Sequence, residues 1–137
     1  MAYHTGRLID HVHLRASNFL NTRYFYESVL TVLEVPITAS GEGWLQADEL
    51  FIDGADARTR PSHVHLAFQA RDRQMVDAFH RAALKAGGTD NGAPGERHYH
   101  PGYYACFVLD PDGNNVEAVF HGPNTRSVPS VVIEPGG

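Results

Sequence analysis

The chain has 137 residues, 42% of them hydrophobic, enough for a single domain that buries its core without disulfides. Its formal charge of -5 is spread over scattered acidic and basic residues, so there is no basic stripe for nucleic acid or an anionic membrane. The one cysteine, Cys106, has no partner for an internal bridge and no stretch approaches membrane-spanning length, so a cytoplasmic location is expected.

Residues 8–15 alternate apolar and polar side chains, which predicts a strand with His11 and His13 on one face. Ser17 and Asn18 supply side-chain oxygens to cap a helix running to about residue 33, with Phe25, Val29 and Val32 on one side and Pro36 at its exit. Residues 44–47 and 50–52 are predicted strands around an acidic turn at Asp48 and Glu49, closed by Asp53 and Gly54. A linker over residues 55–61 leads to a second strand, 63–69, with His63 and His65 on one face. Asp72 then caps a helix to about Ala86, with Val76, Phe79, Ala83 and Ala86 facing inward, and Gly87-Gly88 stops it. Residues 89–102 are rich in Gly and polar groups and are predicted to form a long functional loop carrying Arg97, His98, Tyr99 and His100. Residues 104–109 and 115–121 form a predicted hairpin around Asp110-Pro111-Asp112-Gly113-Asn114. The tail after Gly122 is irregular apart from Val131-Val132-Ile133, which is expected to cover the edge of a neighbouring copy.

The phrase Asp10-His11-Val12-His13-Leu14 returns as Ser62-His63-Val64-His65-Leu66, each time followed by an amphipathic stretch. The helical landmarks Phe25/Phe79 and Leu30/Leu84 keep nearly the same spacing as the histidines, with two residues gained where the second helix begins. An insertion there lies at the surface and is tolerated, so the chain reads as two copies of one unit. Symmetric pairing of the copies brings four imidazoles to one concave surface. In the last strand, alternation puts Glu117, Val119 and His121 on one face. An ionised carboxylate in a strand fit for burial is costly unless a cation or strong hydrogen bonds meet it. A divalent metal held by neutral imidazoles and one carboxylate resolves that conflict and leaves coordination positions open for water or substrate.

These residues carry a family resemblance. Asp10-His11-Val12 with Leu14, Phe25-Tyr26 with Leu30, His63-Val64 with Leu66, and Asp110-Pro111-Asp112-Gly113-Asn114 followed by Glu117 resemble the vicinal oxygen chelate superfamily, from about Leu8 to His121. That group includes glyoxalases, extradiol dioxygenases, and fosfomycin and bleomycin resistance proteins. The resemblance implies an α+β fold in which two βαβββ modules form a cupped mixed β-sheet with helices on the outer face. Module one spans about 8–54, module two about 62–121, and a C-terminal tail 122–137 completes a single domain. It also implies a homodimer and one divalent metal ion (Fe, Mn, Zn or Ni) inside the cup, held by His11, His63 and Glu117. The fourth, first-module carboxylate of glyoxalase I-like members has no assigned counterpart, since Leu50-Phe51-Ile52 is only flanked by Glu49 and Asp53.

His13, His65 and His121 share the ligand faces and are expected to line the cup, with Arg97 and Tyr104, as substrate-binding groups. His100, Tyr103 and His98 are the candidate acid and base groups. His4 and His80 read as surface and Cys106 as core. The expected function is a metal-dependent lyase, isomerase or ring-cleaving dioxygenase acting on a small molecule with vicinal oxygens. The alternative is a protein of the same fold that sequesters an antibiotic or metabolite without chemistry. A cupin, also opened by His-x-His, is disfavoured because no Glu follows either pair and because two helices interrupt the strands.

Overall fold

The computed structural model describes residues 3–136. After a short β1 (Tyr3–Thr5), the first module runs β2 (Val12–Ala16), α1 (Phe19–Val32), β3 (Ala39–Gly41), β4 (Trp44–Ala47) and β5 (Leu50–Gly54). The second repeats the order as β6 (His65–Gln69), α2 (Arg73–Lys85), β7 (Thr89–Glu96), β8 (Tyr104–Leu109) and β9 (Asn115–Phe120), and β10 (Val131–Ile133) follows. Each module folds into a four-stranded mixed sheet of identical topology, β2-β5-β4-β3 and β6-β9-β8-β7. In both, the first strand lies parallel to the last, and the remaining pairs are antiparallel. The fold is the α+β pair of βαβββ modules implied by the sequence. No described helix is long and apolar enough to cross a membrane.

Both helices begin where their caps predict. Asn18 Oδ1 accepts from Asn21 N at 3.1 Å, and Asp72 Oδ1 accepts from Met75 N at 2.8 Å. At 3.6 residues per turn, Phe25, Tyr26, Val29 and Leu30 of α1 fall on one stripe, as do Val76, Phe79 and Ala83 of α2, and all are buried. The helices pack on each other, and their stripes meet the inward residues Leu14, Leu45, Ile52, Cys106, Val108 and Val116 in one core shared by both modules. Gly88 follows α2 because a Cβ there would lie 2.5 Å from Val108 Cγ1 and 2.8 Å from Phe25 Cε2. With one face of each sheet buried under helices, the opposite face is the one left to carry His13, Asp53, His65 and Glu117.

A buried carboxylate ties the modules together. Asp110, 5% exposed, accepts at Oδ1 from the backbone N–H of Asp112 and Asn114, both at 2.9 Å. Its Oδ2 accepts from Asn114 Nδ2 at 2.8 Å and from the hydroxyl of Tyr26, in the first module, at 2.6 Å. Asn114 in turn accepts from Val64 N at 2.9 Å, and Asp112 accepts from the backbone and hydroxyl of Ser17. Burial, then the Asp110 charge, raises the Tyr26 pKa well above the ordinary tyrosine value of 10.0.

Three expectations are corrected. Residues 89–96 are not loop but the edge strand β7, paired with β8 through register shifts between Asp90 and Gly92 and between Gly92 and Gly95. Their composition argues against a strand; the β8 ladder satisfies their backbone nonetheless, and Pro94 falls in a shift where no ladder bond is required. Val131-Val132-Ile133 pairs with the chain's own β1, Val132 facing His4, rather than with a neighbour's edge. Asp53, expected just past a strand ending at Ile52, lies within β5, opposite Arg15 on one side and Trp44 on the other.

Tyr26→Phe should strand one acceptor of a buried carboxylate and cost about 1–3 kcal/mol of unfolding free energy in urea denaturation. Asp110→Ala, which orphans three N–H donors as well, should cost more. Because the folded Tyr26 pKa is raised, the unfolded chain releases its proton first as pH climbs past the ordinary tyrosine value. Stability should therefore fall with rising alkalinity in the wild type, and less steeply in Tyr26→Phe.

Candidate active site and metal centre

On the face away from the helices, each module pairs an imidazole with a carboxylate. In module two, Glu117 is 2% exposed; its Oε1 lies 2.8 Å from His65 Nε2, and its Oε2 accepts from the Tyr103 hydroxyl. In module one, Asp53 Oδ1 lies 2.7 Å from His13 Nε2, both side chains being about one-third exposed. The positions are equivalent. His13 faces Phe51 across the parallel β2–β5 pair and His65 faces Asn115 across β6–β9, so each carboxylate stands two residues further along the partner strand.

Asp53 thus holds in the first module the place that Glu117 holds in the second. Alternation did carry the signal, because Phe51 and Asp53 share a face just as Asn115 and Glu117 do. It was obscured by ending that strand at Ile52. His11 and His63 lie just ahead of β2 and β6, both exposed, and His11 Nδ1 is 2.7 Å from Asp10 Oδ1. The structure does not gather His11, His63 and Glu117 within one chain: among the described residues, no three His, Cys, Asp or Glu side chains form a metal-sized cluster.

Aromatic rings line both faces. Phe51 meets His13 edge-on at 4.9 Å and stacks with Trp44 at 5.9 Å. In the second module the Arg97 guanidinium lies 5.4 Å from the Phe107 ring centroid, held by Ala93 O at 2.7 Å from Nη2. Gly92, at φ 154, leaves the room: a Cβ there would sit 3.0 Å from Phe107 Cδ2 and 3.3 Å from Arg97 Nη2. Phe107 faces Glu117 across β8–β9, so Arg97 lies on the Glu117 side of the sheet.

The loop between β7 and β8 closes through Arg97 N to Tyr103 O at 2.9 Å and folds back on the end of β9. There Gly102 and Gly122, at φ 88 and 90, touch backbone to backbone; a Cβ on Gly102 would sit 3.3 Å from Gly122 Cα. That contact stacks His100 on His121, 5.1 Å between centroids, with Tyr103 edge-on to both at 5.3 and 5.2 Å. His98 packs at a tilt on Tyr99 at 4.8 Å, and Tyr99 meets Tyr103 edge-on at 4.9 Å. Both His100 nitrogens are engaged, Nδ1 with Pro101 O at 2.8 Å and Nε2 with His121 Nδ1 at 2.9 Å. Burial first, then the bond to Glu117, raises the Tyr103 pKa above its ordinary value. The phenol therefore serves as a hydrogen-bond donor rather than a base.

Tyr104, expected at the substrate, is on the opposite face, its hydroxyl on Asp77 of α2 at 2.6 Å and its ring under Arg73. One residue from Tyr103, strand alternation forbids both from reaching Glu117. His80 is not a free surface group: its side chain is 13% exposed and its Nε2 lies 2.9 Å from Asp90 Oδ1, which lowers the Asp90 pKa. Cys106 is fully buried, as expected of a core residue, and burial raises its thiol pKa to about 11.

The model of the Glyoxalase/Bleomycin resistance protein/Dioxygenase superfamily matches residues 8–118, and the chain belongs to that superfamily. Among solved structures, it is similar to a glyoxalase/bleomycin resistance protein from Albidiferax ferrireducens T118, at 26% identity and a TM-score of 0.68, over 82% of this chain and 97% of that one. A glyoxalase-related enzyme from Fulvimarina pelagi shares the fold at 15% identity and a TM-score of 0.66, over 95% and 99% of the two chains. A lactoylglutathione lyase from Agrobacterium tumefaciens shares it at 19% identity and a TM-score of 0.58, over 82% and 92%. A search of curated proteins finds no match.

Tyr103→Phe should leave one oxygen of the buried Glu117 without its donor and lower unfolding free energy by about 1–3 kcal/mol. Alkylation of Cys106 by iodoacetamide at neutral pH should track global unfolding rather than proceed in the native protein, since the thiolate is the reactive form.

Proposed function

We propose that the protein is a metal-dependent enzyme of the glyoxalase or dioxygenase kind, acting on a small molecule with vicinal oxygens in a site completed by a second copy of the chain. The observation that carries this reading is the pair of equivalent imidazole–carboxylate contacts, His13 with Asp53 and His65 with Glu117, each on the sheet face that its own helices leave uncovered. Two half-sites of identical construction have little structural purpose apart, and facing each other across a two-fold axis they would supply a full ligand set.

The donors suit a divalent ion. Neutral imidazole and carboxylate bind zinc and related metals. The 2.7 and 2.8 Å contacts from His13 to Asp53 and from His65 to Glu117 are hydrogen bonds that hold the two acids in place. His11, His63 and Glu117 would hold the ion, with Asp53 as the added carboxylate and His13 and His65 orienting the two acids. Bound there, the ion would act as a Lewis acid toward the substrate oxygens.

The chain's own groups do the rest. Tyr103 fixes Glu117 by donating to Oε2, and His65 holds the other oxygen. His98, exposed on the loop, and the His100–His121 pair are the imidazoles available to move a proton. Trp44 and Phe51, together with Arg97 over Phe107, offer flat apolar walls that orient the substrate and exclude water. Those same aromatic walls favour a second reading, a binding protein that sequesters an antibiotic or metabolite without chemistry.

Loading the metal-stripped protein with Fe(II), Mn(II), Ni(II) or Zn(II) and assaying hemithioacetals and catechols separates the two readings. The enzyme reading expects stoichiometric metal by elemental analysis and turnover that Glu117→Gln or His63→Ala abolishes. His65→Ala should weaken metal affinity by about 10–100-fold. Turnover unaffected by His63→Ala, or a strictly monomeric species in sedimentation, would overturn it.

A further inference from the structure

Two residue pairs beyond Ala67 and Glu117, the same sheet face opens into a cleft of about 480 Å³. Its walls include Gln69 of β6, Val119 and His121 at the end of β9, and Asn124, Thr125 and Arg126 of the tail that leads to β10. This volume suits a small metabolite. Glu117 and Val119 are alternate residues of one strand, about 7 Å apart, so the cleft begins one same-face step from the buried Glu117.

The two cations at the cleft differ. Arg71 is already neutralised by Glu34 and Asp72. Arg126 gives one N–H of Nη2 to Pro129 O at 2.8 Å, and among the described residues no carboxylate pairs with it. Arg126 is exposed and its remaining N–H donors are open to solvent, and a guanidinium fork binds a carboxylate best through two parallel bonds.

For neutral rings, the bonds beside it set the tautomers. Pro101 O can only accept, so His100 Nδ1 bears the one proton and His100 Nε2 accepts. His121 Nδ1 must then donate to it, which leaves His121 Nε2 as a lone-pair acceptor on a residue of the cleft wall. The cleft therefore combines a free guanidinium with an imidazole acceptor poised for a hydroxyl or amine hydrogen.

We propose that this cleft binds the carboxylate end of the substrate, with Arg126 gripping the carboxylate and His121 Nε2 accepting from an adjacent hydroxyl. The substrate class is thus a small hydroxycarboxylate-bearing molecule whose other end is directed toward the Glu117 side of the sheet. As a statement about substrate this rests on the enzyme reading above, but the binding step does not require turnover.

Isothermal titration calorimetry with lactate, propionate, lactamide and inorganic phosphate tests it. Lactate should bind at least about tenfold more tightly than propionate, which lacks the hydroxyl, and than lactamide, which lacks the charge. Arg126→Gln should weaken lactate by about tenfold or more, and His121→Phe should erase the advantage of lactate over propionate. Phosphate binding as tightly as lactate, or lactate affinity unchanged in Arg126→Gln, would overturn the assignment. Failure of the enzyme reading looks different: metal and turnover are missing while these isotherms keep the expected pattern. Failure of the cleft assignment flattens the isotherms and leaves metal content and its dependence on Glu117 as they were.

Discussion

The carboxylate of Asp110 accepts four hydrogen bonds in the interior, and the relative placement of the two modules depends on them. Two bonds shape the turn ahead of β9, a third recruits Asn114, whose own oxygen holds the segment entering β6, and the fourth reaches across to Tyr26 of α1. A buried anion without those donors would cost several kcal/mol, so the turn, both strands and the first helix are stable only together. Through β9 the constraint reaches Glu117, three residues past Asn114.

Duplication explains the form of the site. When one βαβββ unit is used twice, any residue that is useful on its uncovered face occurs at two equivalent positions, and the histidine and acid do so here. Divergence shows in the surroundings. Glu117 is sealed under Tyr103 and His65, whereas Asp53 remains partly open beside His13, Phe51 and Trp44. The buried acid has its orientation set by two partners, and the open one is free to adjust to whatever approaches it.

Much of this was legible beforehand because it follows from local rules. The caps at Asn18 and Asp72, the apolar stripes of both helices, and the turn at 110–114 depend on neighbours in sequence, and their positions matched. So did the burial of Glu117 and Cys106. The edge strand β7 was not legible, since Gly, Pro and Asn give no strand pattern and only the neighbouring β8 supplies its hydrogen bonds. Likewise Tyr103 and Tyr104, adjacent and chemically alike, were assigned together until strand alternation sent one to Glu117 and the other to Asp77.

By itself the sequence determined which side chains are chemically equipped and that Glu117 shares a strand face with Val119, because faces repeat with the two-residue period of a strand. Tertiary structure alone decided who meets whom. The register of two parallel pairs, each joined through a long crossover, matched His13 with Asp53 and His65 with Glu117, and left His11 and His63 outside those contacts. Register between strands separated by a helix and a hairpin is set by packing of the whole core, so no window of sequence contains it.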